Sequence, residues 1–400
     1  MSLLRSVDRE PLVLRLSRDL VRMLKRGHPW VYADALRDLP RAAAGTSAVL
    51  LDNKKGREVA RGYYDPGCPL AFRACSVEDR VSLDDRWAQE RFTRALDLRT
   101  RLFGPETTGW RLFNGEGDEV PGLIVDRYGD TAVLQVDGAG PMGFWDMDGI
   151  AAWTAERLGV TGVYYKSRDK SQEGRLLTGA LPEEGIARFV ENDLKFTADV
   201  RRGQKTGFFL DQRDNREMIR RIAQDRSVLN VFGYTGGFSV AAGAGGATQV
   251  TTVDLAAPAV AAADQHWRDN GFSAEQHEGV AADAFEFLAG AAARRKRWDI
   301  AIVDPPSFAP SEATVPKASA SYRRLIADAA RVVADGGHLA ASSCSSHIDE
   351  TAFLEICEEA VSEARRRGTI VSLTSQPADH PYPLVFHEFR YLKFVLMRLD

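Results

Sequence analysis

"SVLNVFGYTGGFSVAA", residues 227–242, decides the fold. Six mostly apolar residues (227–232) run into a loop carrying Gly233, Gly236 and Gly237, and a small-residue helical pattern follows. A short apolar run cut off by glycine and followed by helical spacing reads as a buried strand, a tight turn and a helix. The glycines let the backbone turn sharply and come close to a ligand.

The same alternation recurs towards the C-terminus. "QVTTVDL" (249–255), "DIAIVDPP" (299–306), "GGHLAASSCS" (336–345), "GTIVSLTSQ" (368–376) and "RYLKFVLMRL" (390–399) are further apolar runs. Helical patterns lie between them at 239–245, 256–270, 281–293, 318–334 and 350–367. Buried strands alternating with helices mean βαβ units, hence a parallel sheet with right-handed crossovers. The last run follows "IVSLTSQ" with no helical pattern between, so it is expected to enter antiparallel.

The N-terminal texture differs. "LVLRLS" (12–17) alternates, "SAVLLDNKKGREVARGYYD" (47–65) reads as a hairpin about Asn53–Gly56, and "PLAFRACSV" (69–77) as another strand. A short helix is expected at 18–26 and a longer one at 86–102, then two or three strands over 109–136, a helix over 145–159 and an extended segment over 160–166. The expected division is 1–75, 76–190 and 191–400, in keeping with two to three domains for 400 residues.

Bulk numbers narrow the classes. No apolar run approaches the roughly 20 residues a membrane helix needs. Charges interrupt residues 1–16, which excludes a signal peptide reading. The four cysteines, Cys68, Cys75, Cys344 and Cys357, form no CxxC pair, so a cytoplasmic protein with reduced thiols is expected. No metal-ligand spacing is present, and none of His338, His347, His380 and His387 lies in an H-E-x-x-H pattern. The net charge of −4 divides unevenly: residues 1–75 hold 14 basic and 8 acidic residues, an excess of +6 on a body carrying −10. A basic module on an acidic body suits phosphate contact at one end, or is an ordinary solvated surface.

Open α/β sheets bind ligands beyond the carboxyl ends of their strands. The first such loop, "GYTGGF", does not fit the dinucleotide fingerprint G-x-G-x-x-G and lacks a Gly-Lys-Ser/Thr phosphate loop. A dehydrogenase is thereby excluded, and a nucleotide without pyrophosphate is favoured. Asp254 follows the second strand and can accept from a ribose diol; Asp283 follows the third and can accept from an adenine amine. Each is also a helix-cap candidate. After the fourth strand, "DPPSF" (304–308) sets Asp304 before two prolines that stiffen the loop.

Together these segments resemble the S-adenosylmethionine-dependent class I methyltransferases, and within them the bacterial large-subunit (23S) rRNA cytosine-5 methyltransferases of the RlmI type. The resemblance covers nearly the whole chain. It is carried by "GHPWVY" (27–32), "NGEGDEVPGLIVDRYGD" (114–130), "GQKTGFFLDQRDNR" (203–216), "NVFGYTGGFSVAA" (230–242), "DPPSF", "SCS" (343–345) and "DHPYPLVFHEFRYLKF" (379–394). It implies a multidomain α/β chain: an N-terminal PUA-like β-barrel that binds RNA, a central α+β domain, and a Rossmann-like class I methyltransferase domain with a mostly parallel seven-stranded sheet. It implies S-adenosyl-L-methionine held by Phe208, Gln212, Asn230, Phe232, Gly233, Asp254, Asp283 and Asp304. It also implies ribosomal RNA as partner, no membrane, and a homodimer.

Cys344 is then the residue of most interest. A lone cysteine is usually a small packing residue. Beside Asp304, after the fifth strand, it is placed to attack C6 of a cytosine as a thiolate, with Asp304 stabilising charge at N3. Many RNA cytosine-5 methyltransferases carry a second cysteine where this chain has Ser307. The rival readings are an rRNA guanine N-methyltransferase of the same fold with Cys344 inert, and a non-catalytic RNA-binding ribosome assembly factor. Lys317, Arg323 and Arg324 suit either RNA phosphate or a solvated helix face.

Overall fold

In a computed structural model of the chain, residues 2–5, 10–78, 80–169, 171–309 and 311–400 are described. The chain divides into two compact units.

The first unit comprises Met1–Val190, Thr197–Leu210 and Ala378–His387. Strands β1 (Leu12–Arg15), β2 (Trp30–Val31), β3 (Thr46–Leu51), β4 (Glu58–Tyr64) and β5 (Phe72–Ser76) make one sheet in the order β1-β3-β4-β5-β2, with helix α1 (Val21–Lys25) beside it. The expected hairpin joins β3 to β4. Asp52 Oδ1 accepts from the backbone N–H groups of Lys54, Lys55 and Gly56 at 2.9, 2.5 and 2.9 Å, and Gly56 takes a φ of +67°. Leu14, Leu50, Val59 and Phe72 fill the core of this sheet.

Helix α2 (Asp85–Leu102) begins where Asp84 accepts from the N–H of Trp87. Strands β6 (Gly109–Asn114), β7 (Leu123–Tyr128) and β8 (Thr131–Val136) follow, then α3 (Ala139–Phe144), α4 (Met147–Leu158), β9 (Gly162–Tyr165) and β10 (Arg175–Gly179). They build a second sheet in the order β10-β9-β8-β7-β6 over a core of Trp87, Phe92, Phe113, Trp145 and Trp153. A buried polar network joins this sheet to a distant stretch of chain. Arg99 donates to both oxygens of Asp118 at 2.5 and 2.8 Å and to the Asp379 carbonyl at 2.7 Å. The N–H of Arg111 donates to Asp379 Oδ2 at 2.9 Å, and Asn114 Nδ2 to the Pro381 carbonyl at 2.8 Å. These bonds tie Ala378–His387 to the first unit, although the sequence places it within 191–400. The ties are polar and far apart in the chain, so no apolar period announces them.

The boundary runs through a hairpin of β11 (Ile186–Glu191) and β12 (Leu194–Asp199). Its two-residue turn uses Asn192 and Asp193, both left-handed at φ +51° and +67°, as a type I′ turn demands.

The second unit comprises Glu191–Phe196, Asp211–Pro377 and Glu388–Asp400. Helix α5 (Arg213–Ile222) precedes β13 (Ser227–Val231), α6 (Gly237–Ala244), β14 (Gln249–Asp254), α7 (Ala257–Asp269) and β15 (His277–Ala281). After them come α8 (Ala284–Ala293), β16 (Trp298–Val303), α9 (Val315–Ala330), β17 (Val333–Ser343), α10 (Glu350–Glu363), β18 (Gly368–Thr374) and β19 (Lys393–Leu399). The seven strands order as β15-β14-β13-β16-β17-β19-β18. The first five run parallel, and β19 is antiparallel to both neighbours. Helix α9 starts three residues earlier than its apolar period, because Pro316 suits a first helical turn.

Side chains alternate between two buried faces. Val231, Val253, Ala301, Val303, Leu339, Ala341, Val395 and Met397 pack with α8, α9 and α10. Val228, Val250, Ile300, Ile302, Ala340, Phe394 and Leu396 pack with α5, α6 and α7. Burial on both faces explains why these strands read as near-continuous apolar runs. Strand β15 lies at the edge, largely exposed, which is why no apolar run marks it. Among the described residues no helix is long and apolar enough to cross a membrane.

Candidate active site

The parallel strands of the second unit present their carboxyl ends at one edge, and the strand order reverses between β13 and β16. Ligands bind at such a switch point.

The loop after β13 is held in an unusual backbone path. Phe232, Tyr234 and Gly236 take φ values of +60°, +46° and +79°. Asp254 anchors it: Oδ2 accepts from the N–H of Tyr234 and Oδ1 from that of Ala256, both at 2.9 Å. The N–H of Gly233 donates to the Val253 carbonyl at 2.9 Å. A Cβ on Gly233 would meet Thr252 Cγ2 at 2.5 Å, so the protein itself demands glycine here. Phe232 is half-buried against the α8–α10 core.

Asn230 is buried at the end of β13 and donates from Nδ2 to Ser239 Oγ at 2.9 Å. A chain of contacts continues from Ser239 to Thr252 (2.6 Å), from Thr252 to His277 Nε2 (2.7 Å) and from His277 Nδ1 to Asp264 (2.8 Å). Burial, opposed by the pairing with Asp264, lowers the pKa of His277 below the ordinary imidazole value. Asn230 Oδ1 and Thr235 Oγ1 are buried with no hydrogen-bond partner among the described residues. Orphaned buried polar atoms at a ligand edge fit a ligand that brings N–H or O–H groups.

Asp283 caps α8, its Oδ1 accepting from the N–H groups of Phe285 and Glu286 at 2.9 and 3.1 Å. An ionised carboxylate has about four acceptor positions, so capping leaves capacity for a ligand. The N–H of Ala282 donates to the Asp254 carbonyl at 3.0 Å, which sets the two acidic loops side by side.

Gln212 is buried at the start of α5 and bridges the ends of two strands. Its Nε2 donates to Asp304 Oδ1 at 2.9 Å and to Ser342 Oγ at 3.0 Å. Its Oε1 accepts from Asn215 at 2.6 Å, and Asn215 accepts from Thr374 at 2.6 Å. Asp304 and Cys344 follow adjacent parallel strands, in which Val303 stands beside Ala341. Both are half-buried. Their loops are tied together: Ser345 Oγ lies 2.9 Å from Ser307 Oγ and 3.0 Å from the buried Tyr322 hydroxyl. Lys393 Nζ donates to the Ser345 carbonyl at 2.6 Å.

The second unit thus brings together Gln212, Asn230, Phe232, Gly233, Asp254, Asp283, Asp304 and Cys344. Phe208 belongs to the first unit; it is buried, its N–H donates to the Tyr128 hydroxyl at 3.1 Å, and its ring lies 5.1 Å from that of Phe189. Phe209 receives Lys205 Nζ at 4.5 Å from its ring centre. Arg323 pairs with Glu359 and Glu363, and Arg324 with Asp328. These two cations are engaged on the helix surface.

Residues 146–382, well over half of the chain, match the family of S-adenosylmethionine-dependent methyltransferases. The chain belongs to that family. Residues 14–76 match the PUA-like domain. The methyltransferase is 34% identical over 409 residues to a ribosomal RNA large subunit methyltransferase of Deinococcus radiodurans, covering 97% of this chain and 98% of the relative. It is 34% identical over 390 residues to ribosomal RNA large subunit methyltransferase I of Alteromonas mediterranea, covering 96% and 97%. A solved structure described as a SAM-dependent methyltransferase from Streptococcus mutans superposes with a TM-score of 0.83 at 26% identity, covering 97% of this chain and all of that one. A methyltransferase solved in complex with SAH gives the same score and identity over 98% and 100%.

Sequence reasoning missed Lys393, Ser345 and Tyr322. "YLKFVL" reads as an apolar strand in which a lysine looks like a surface residue. The available signal is parity: residues 395, 397 and 399 face the α8–α10 core, and 393 shares their phase.

Proposed function

We propose that this methyltransferase acts on C5 of a cytosine in large-subunit ribosomal RNA, through a covalent bond from Cys344 to C6. The supporting observation is the placement of Asp304 and Cys344 at the ends of adjacent parallel strands, with their loops tied through Ser307, Ser345 and Tyr322. The names of the relatives support the RNA substrate.

Bound S-adenosylmethionine supplies an electrophilic methyl group. Asp254 would accept from its ribose and Asp283 from its adenine amine, and Asn230 Oδ1 would find there the donor it lacks. C5 of cytosine is a weak nucleophile. When the Cys344 thiolate bonds to C6, the displaced electrons make C5 enamine-like and able to take the methyl group. Asp304, oriented by Gln212, holds N3 and stabilises the charge that develops there. The C5 proton then leaves to a base, its bonding electrons restore the C5–C6 double bond, and the C6–S bond breaks to return the thiolate. Ser307 stands where many relatives of this chemistry carry a second cysteine.

Asp-Pro-Pro followed directly by an aromatic favours transfer to an exocyclic amine. Here Ser307 intervenes, and the Phe308 ring packs 4.7 Å from Tyr322. The test is to incubate the full chain with unmodified large-subunit rRNA and tritiated S-adenosylmethionine, digest to nucleosides, and separate them. Label in 5-methylcytidine is expected. Label in a methylguanosine identifies the nitrogen reading, and no incorporation identifies a non-catalytic factor.

A further inference from the structure

Lys393 is a cation placed inside a sheet. It lies opposite Ser343 in the β17–β19 pairing and is 3% exposed. Its Nζ donates to the Ser345 carbonyl at 2.6 Å and to the Tyr391 carbonyl at 2.8 Å. Among the described residues no carboxylate forms an ion pair with it. A buried ammonium is costly unless an opposite charge faces it. Two neutral carbonyls supply dipoles but no charge. The residue between Ser343, its cross-strand neighbour, and Ser345, its hydrogen-bond partner, is Cys344.

We propose that Lys393 is a positioning residue whose buried ammonium holds Cys344 as a thiolate and fixes the backbone that carries it. On deprotonation the thiol proton goes to bulk water, and Lys393 keeps its own. Lys393 is pulled down to about 8 by burial and pushed back up chiefly by Cys344. Coupling of this kind is mutual: what favours the ammonium favours the thiolate. Other titratable or charged groups on the surrounding elements include Tyr322 on α9, Asp304 after β16, His347 and Asp349 before α10, and Arg390 and Tyr391 before β19, the Tyr391 hydroxyl donating to Asp211. Burial keeps the Tyr322 phenol above its ordinary value, so it is neutral at pH 7. Arg390 is paired with Glu350 at 2.5 Å. Lys393 is the cation bonded to the Cys344–Ser345 backbone.

The proposal rests on Cys344 being the nucleophile for its purpose, but its test does not use methyl transfer. Full-length protein is alkylated with iodoacetamide across pH, and the Cys344 peptide is followed by mass spectrometry. The wild-type thiol should react half-maximally below the ordinary cysteine value of about 8.5. Lys393→Met should move that midpoint up by about one unit, cutting the rate at pH 7 roughly tenfold. Lys393→Arg, which keeps the charge, should stay within about threefold of wild type. A wild-type midpoint at or above the ordinary value overturns the proposal, as does an unshifted Lys393→Met profile or a Lys393→Arg profile matching it. Full activity in Cys344→Ala would instead remove the cytosine-5 reading and leave the alkylation profiles untouched.

Discussion

Four unbridged thiols occupy three kinds of surroundings. Burial pushes the Cys357 thiol up to about 12, and Cys75 is raised further. Both are inert packing residues. Cys68 is half-buried in the first unit. Only Cys344 combines partial exposure with a strand end. Asp254 holds the loop after β13 through the N–H groups of Tyr234 and Ala256, and the proposed function gives it the ligand as well. Asp254→Ala should weaken S-adenosylmethionine binding by about 2 kcal/mol, roughly 30-fold, measured by calorimetry. Unchanged affinity in a folded variant would remove it from the site. His266 and His277 add a pH dependence. Burial lowers both pKa values below the ordinary 6.5, so the unfolded chain binds more protons just below that pH. Their contribution is present above the unfolded value and is lost as pH falls towards the folded one. The melting temperature should drop between about pH 7 and pH 5.5, and His277→Gln, which keeps a polar partner for Thr252, should flatten part of that drop. An identical pH profile in the variant would show that His277 does not contribute.

At the scale of elements, strands β13, β14, β16 and β17 were legible because each is buried on both faces and is set off by helical segments. The positions of Asn230, Asp254, Asp304 and Cys344 at strand ends were legible for the same reason, since the fold rule says where to look. Strands β10 and β15 were not, being largely exposed, nor were β11 and β12, in which only alternate residues are buried. The docking of Ala378–His387 was hidden because it depends on hydrogen bonds between residues some 280 positions apart in sequence, as for Arg99 and Asp379. That network supplies a stability test. Arg99 is fully buried and Asp118 nearly so. Arg99→Leu would leave the Asp118 charge buried without its partner, so a loss of about 3–5 kcal/mol is expected in chemical denaturation. A loss below about 1 kcal/mol would mean that water reaches Asp118 and the network is not closed.

Across the whole molecule, charge is divided between a basic N-terminal region and an acidic remainder. In the structure some of that positive charge is neutralised locally, as in Lys54 with Asp19 and Arg61 with Glu58. Lys55 and Arg57, exposed on the β3–β4 turn, form no ion pair among the described residues. If this turn meets RNA phosphate, replacing both with Ser should weaken rRNA binding and reduce the salt slope by up to about 1.4, with S-adenosylmethionine affinity unchanged. An unaltered slope would place the RNA elsewhere. The central claim concerns the bond between the protein and its substrate, and it can be seen directly. Full-length protein and S-adenosylmethionine are mixed with large-subunit rRNA carrying 5-fluorocytidine in place of cytidine, then resolved under denaturing conditions. Fluorine at C5 cannot leave as a proton, so wild type should remain covalently attached to the RNA. Cys344→Ala and Cys344→Ser should form no adduct, and Asp304→Asn should form it more slowly. A Cys344→Ala protein that methylates ordinary rRNA at the wild-type rate would contradict the account.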